Sequence, residues 1–222
     1  MNYNDPKNNS STPNQSASPE NTDIIRESAG SYNALSKEHL YTIADYYALP
    51  EDQRVELIDG RFYDMGAPAV IHQLILGNLY TLFSECIKKH NMPCTVLMAP
   101  CDVRLDRDNY TMVQPDLLVL CHDFDIHAIR FEGAPDLVAE ILSVSSRAMD
   151  TILKLHKYQR AGVREYWIVD PKTRSVTVHF FEGGESIPQT YDFTDSIPVR
   201  ISSGSCEVDF SEIMNVIGRY YA

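Results

Sequence analysis

The sequence predicts an α/β (α+β) domain, a mixed central β-sheet flanked by helices. Three observations predict it. Strand-like and helix-like segments alternate along most of the chain. Short hairpin signals lie between some of them. Two runs, Leu117-Leu118-Val119-Leu120 and Leu137-Val138-Ala139-Glu140-Ile141-Leu142, are apolar enough to be covered on both faces. With 222 residues and 44% apolar side chains, one domain with a substantial core is expected, preceded by a tail.

Residues 1–33 are rich in Asn, Ser, Pro and Thr and poor in large apolar side chains, which predicts a disordered polar tail. The domain then runs over 34–222. Ser36 is placed to cap a helix over 37–48, which ends before Pro50. Two strand-like runs, Arg54-Val55-Glu56-Leu57-Ile58 and Arg61-Phe62-Tyr63-Asp64-Met65, flank Asp59-Gly60, a strong hairpin signal. A long helix over 69–89 follows, its apolar residues close to helical spacing. Further strands fit 95–99, 102–105, 116–121 and 136–142. A helix over 147–161 has Ser145 or Ser146 as cap and Gly162 as stop. Strands at 165–169 and 175–181 flank the turn Asp170-Pro171-Lys172-Thr173. Glu182-Gly183-Gly184-Glu185 makes a second turn, and a last helix covers 210–220.

The formal net charge of −12 argues against a protein that coats nucleic acid through bulk charge. One stretch differs. Between Arg147 and Arg174 seven basic residues face three acidic ones, a net of +4 that suits an anionic substrate. An ordinary charged helix explains the same stretch equally well. The five cysteines are odd in number and lack a C-x-x-C pair, so reduced thiols are expected rather than disulfides or a zinc site. No signal peptide and no bilayer-spanning run are read, and a cytoplasmic location is expected.

The chemistry centres on carboxylates set into buried strands. Glu140 shares a strand face with Val138 and Leu142, and Asp116 opens the apolar run after Pro115. Taken singly, these are an edge-strand acid and a strand-start aspartate. Taken together, one hard divalent cation accounts for both. Glu56 reads as a third acid or as a solvated strand face. Lys154 and Tyr158 share a helix face, so an inward Lys154 could reach a phosphate, and an outward one is only solvated. Weaker signals are the loop Cys121-His122-Asp123-Phe124-Asp125-Ile126-His127, His72 on the long helix, and Ser143, Ser145 and Ser146, better explained as caps or turns. Tyr166 and Trp167 read as core.

The order of Arg54-Val55-Glu56-Leu57-Ile58-Asp59-Gly60, Gln114-Pro115-Asp116, 135–143, Lys154 with Tyr158, and Ala161-Gly162-Val163-Arg164-Glu165-Tyr166-Trp167-Ile168-Val169-Asp170-Pro171 resembles the Uma-type restriction endonuclease family of the PD-(D/E)XK nuclease superfamily. The resemblance implies a restriction-endonuclease-like core and Mg²⁺-dependent hydrolysis of DNA phosphodiesters, with Mn²⁺ as a substitute ion. On that pattern Asp116, Glu140 and the backbone carbonyl of Ile141 hold the metal, Glu56 completes the cluster and Lys154 serves catalysis. The superfamily signature places a lysine two residues after the glutamate, where this chain has Leu142; Lys154 is the candidate equivalent. DNA is the expected substrate, and a homodimer would let two sites cut two strands. Two other readings are a nuclease-fold module that binds nucleic acid or a protein without cutting, and hydrolysis of another phosphoester.

Overall fold

A computed structural model describes residues 39–50, 52–143, 146–182 and 185–221. The 1–33 tail, Ser36, Ser145 and the Gly183-Gly184 turn lie outside the described residues. The first helix, α1 (Ile43–Tyr47), starts later than the sequence suggests. Thr42 is held extended and accepts the Asp45 N–H, while the Asp45 carboxylate accepts the Thr42 N–H. That reciprocal cap fixes the start of the helix there.

The hairpin of β1 (Val55–Ile58) and β2 (Arg61–Asp64) forms as expected, with Asp59 and Gly60 both at positive φ, 50° and 76°. There follow α2 (Val70–Lys89), β3 (Thr95–Met98), β4 (Val103–Arg104), β5 (Leu117–Leu120), β6 (Phe131–Glu132) and β7 (Leu137–Ile141). The predicted helix over 147–161 is a π-helical turn (Met149–Lys154) running into α3 (Leu155–Ala161), stopped by Gly162 at φ 99°. The chain continues through β8 (Glu165–Asp170), β9 (Ser175–Glu182), β10 (Glu185–Asp192), β11 (Ser196–Val199), β12 (Cys206–Asp209) and α4 (Phe210–Ile217).

Six strands make the mixed sheet, in the order β10-β9-β8-β7-β5-β3. Only β7 and β8 run parallel, and the π/α3 segment crosses between them. Side-chain alternation sends Leu117, Val119, Ala139, Ile141 and Trp167 to one face, where α2, α4 and the β11–β12 hairpin cover them. Leu118, Leu120, Val138, Leu142, Tyr166 and Ile168 point to the other, under Tyr158 and the loop carrying Val103 and Leu105. Both faces are dry, as the unbroken apolar runs require. Glu140 therefore faces the π/α3 layer from inside the core.

The expectation of five reduced thiols is overturned. Cys86 is bonded to Cys206 and Cys94 to Cys121, leaving Cys101 free. The pairs lie 120 and 27 residues apart in sequence, so only the fold brings them together. Cys94 and Cys121 flank the register pair Thr95↔Leu120, and Cys86 on α2 meets Cys206 on β12. Among the described residues, no helix is long and apolar enough to cross a membrane.

Candidate active site

The β5–β7 register pairs Leu117 with Ala139, so the next residues outward, Asp116 and Glu140, face one another at the end of the ladder. Backbone amides interlock them. Asp116 N–H donates to Glu140 Oε2 at 3.2 Å, and Ile141 N–H donates to Asp116 Oδ2 at 2.8 Å. Ile141 thus enters the site through its N–H, and it lines the same cavity as the two acids. The cavity has a volume of about 350 Å³.

Glu56 reaches this point because Leu57 bridges β1 to Met112, beside the Gln114-Pro115-Asp116 segment. Its Oε1 accepts the Gln114 N–H at 2.8 Å. The crossover helix supplies the cation. Lys154 Nζ lies 2.8 Å from Glu56 Oε2, 3.0 Å from Glu140 Oε1 and 3.4 Å from Asp150 Oδ1. Tyr158, one turn on, donates its hydroxyl to Glu140 Oε1 at 2.7 Å. The shared face of Lys154 and Tyr158 is the one that points inward. Glu56, Glu140, Asp150 and Lys154 are all 5% exposed or less.

Three carboxylates, Glu56, Glu140 and Asp150, therefore gather around one ammonium, with Asp116 beside Glu140. Burial pushes the Glu140 carboxyl well above the ordinary range, although Lys154 pulls it down. Burial likewise raises Asp150 to about 6, against the pull of Lys154. For Lys154 burial alone would strip the proton, but Glu140, Glu56 and Asp150 overcome it and hold the pKa well above the usual lysine value. One ammonium does not neutralise the acids that surround it. Among the described residues no three His, Cys, Asp or Glu side chains form a ready cation cage. Lys154 stands between the acids instead. The donor set still suits a hard divalent cation, because it is all carboxylate oxygen with negative charge to spare.

Two residues of this cluster carried little signal in the sequence. His72, in the first turn of α2, lies with Nε2 3.0 Å from Asp116 Oδ2 and so orients that carboxylate. Its place in the long helix alone reads as a cleft or partly buried histidine. Asp150 precedes Lys154 by four residues, and that helical spacing is the signal that could have found it.

The +4 stretch is not a free anion-binding surface. Arg147 grips Asp170 with both guanidinium nitrogens, at 2.8 and 2.9 Å. Lys157 is shared by Asp59 and Asp106, Arg164 pairs with Asp136, and Arg174 lies over the Tyr221 ring. Part of the charge meets acids distant in sequence, Asp59, Asp106 and Asp136, which no local count includes. The Cys121–His127 loop builds no metal site, since Cys121 is in a disulfide and His122 turns to Asp136. Ser143 and Ser146 bond each other in a turn, as expected.

Residues 43–206 match the model of the Uma2 family, described as "Putative restriction endonuclease". The chain belongs to the Uma2 family. Over 170 residues it is 28% identical to an uncharacterized protein of Synechocystis, covering 74% of this chain and 87% of that one. A crystal structure from Anabaena variabilis, described as a "putative nuclease belonging to DUF820", superposes with a TM-score of 0.63. At 19% identity, over 78% of this chain and 97% of that one, it shows a shared fold. In this Uma2 chain the residues the sequence singled out, Glu56, Asp116, Glu140 and Lys154, all line the cavity between β1, β7 and the π-helical turn.

Proposed function

We propose that this protein is a divalent-cation-dependent endonuclease that hydrolyses phosphodiester bonds in DNA. The observation that carries the reading is the facing pair Asp116 and Glu140, interlocked through the Asp116 and Ile141 amides at a cavity lined by acids. Family membership points to the same chemistry.

Asp116, Glu140 and Glu56 would hold Mg²⁺ or Mn²⁺, together with the Ile141 carbonyl. When bound, the cation supplies Lewis acidity at the scissile phosphate. The chain's own residues prepare that chemistry. His72 and the Ile141 N–H fix one oxygen of Asp116, which sets the direction of the other. Lys154 remains protonated and keeps Glu56 and Glu140 from repelling each other in a dry site. Tyr158 keeps its proton and donates to Glu140 Oε1, the oxygen that Lys154 also holds. One site per chain cuts one strand, so a double-strand break takes two chains.

A second reading, a nuclease-fold module that binds without cutting, is favoured by one feature. The Lys154 ammonium is already engaged by its own carboxylates. Incubation of plasmid DNA with Mg²⁺ or Mn²⁺, beside an Asp116→Ala control, separates the two. Nicking that needs the cation and disappears in the variant supports the enzyme. No nicking, with salt-sensitive DNA retention, supports the binding module.

A further inference from the structure

Among the described residues, two with a fixed positive charge line the cavity that holds Asp116 and Glu140: Lys154 and Arg54. Lys154 is committed, its ammonium held by Glu56, Glu140 and Asp150. Much of the remaining lining is acid, with Asp64 and Asp116 beside those three. A phosphodiester entering such a cavity is repelled unless a cation that the protein has not already engaged receives it.

Arg54 is placed to be that cation. It directly precedes β1, and the Met65 N–H donates to its carbonyl at 2.9 Å, so the hairpin pairing continues through it. Strand alternation then puts its side chain on the face of Glu56, two residues on. Arg54, Glu56 and the opposing Met65 all line the cavity, as that alternation requires. Glu56 is buried and Arg54 is exposed, so this face runs from the acid cluster to a guanidinium at the rim. Among the described residues the Arg54 side chain has no hydrogen bond or ion pair. Other arginines are engaged. Arg147 closes on Asp170 with both arms, Arg164 pairs with Asp136 and Arg130 with Glu132. Taking up a phosphate would cost each of these an existing pair, whereas Arg54 gives up only water. Its planar fork of donors also matches two phosphate oxygens at once.

We propose that Arg54 is a substrate-positioning residue that grips a backbone phosphate of the DNA at the cavity mouth. This rests on the nuclease reading and adds to it the residue that seats the strand. The contact is between guanidinium and phosphate alone and needs no cation bound in the site.

The test measures binding of a short fluorescein-labelled DNA duplex to the full-length protein in chelator, across a series of KCl concentrations. Parent, Arg54→Gln, Arg54→Lys and Arg160→Gln are compared. Arg160 is exposed on α3, lies outside the cavity lining and gives up the same charge. Arg54→Gln should bind roughly tenfold more weakly at low salt, and its slope of log affinity against log salt should be shallower by about one. Arg54→Lys should keep the slope, because the charge remains, and lose part of the affinity, because the fork is gone. Arg160→Gln should follow the parent. Equal losses in Arg54→Gln and Arg160→Gln would trace the effect to net charge and overturn the role of Arg54. An Arg54→Gln slope equal to the parent's would overturn it too, and in both cases the nuclease reading is untouched. A parent that retains no duplex even at the lowest salt overturns both.

Discussion

Replacing Lys154 with methionine tests the electrostatic account of the site most directly. Methionine keeps the length of the side chain and removes the ammonium. Three carboxylates within 3.4 Å of Nζ would then share a dry site without their cation. Removing one partner of a buried ion pair costs about 3–5 kcal/mol. With three acids stranded, the upper end applies, and for a domain of this size it corresponds to a fall in Tm of roughly 10–20 °C. The deficit should depend on pH. Glu140 and Asp150 already have folded-state pKa values above their unfolded ones, and losing Lys154 raises them further. The folded state then binds protons more tightly than the unfolded chain, so stability rises as pH falls through that window. For Asp150 in the parent the window runs from about 6 down to the ordinary 3.8. Urea unfolding of parent and variant at pH 7 and pH 5 measures the difference. The deficit should shrink at pH 5, and adding Glu140→Gln to Lys154→Met should recover part of it at pH 7. A loss below about 1 kcal/mol at pH 7, or one that does not shrink on acidification, would refute the picture of a buried ammonium holding the acids together.

Two further expectations follow from groups outside the cavity. Glu165→Ala removes the acceptor for the Trp167 indole and the Ile201 amide, and each stranded buried donor costs about 1–3 kcal/mol; urea unfolding followed by Trp167 fluorescence should show a combined loss of roughly 3 kcal/mol, and an unchanged midpoint would mean water already serves those donors. Thiol titration of the unreduced, denatured chain should find one reactive sulfhydryl, that of Cys101, and recovery of all five without reductant would contradict the two disulfides.

What could be read from the chain beforehand follows physical lines. Glu140 stood out because an acid inside an apolar strand needs compensation, and the compensation was found in Lys154 and Tyr158, whose spacing shows in the sequence. Asp116 was legible from its place beside Pro115 at the head of β5. The hairpin at Asp59-Gly60 and the stop at Gly162 were legible because both need positive φ. Strand β10 was not, since Pro188 and Gln189 interrupt any clean alternation, and β11 and β12 are only four residues each. The disulfides and the partly neutralised basic stretch were hidden for a common reason, that their partners lie far away along the chain. His72 and Asp150 gave only weak local signals, a place on the long helix and a four-residue spacing from Lys154, because their importance lies in what they face.

Glu56, Asp116, Glu140 and Lys154 are drawn from four separate stretches, and the last arrives almost a hundred positions after the first. During synthesis the acids emerge well ahead of the lysine that lets them coexist. A prematurely ended product lacking the crossover helix would hold three mutually repelling acids and no assembled centre. The proposed cutting chemistry is therefore withheld from unfinished copies, a built-in safeguard for a cell that makes such an enzyme beside its own genome.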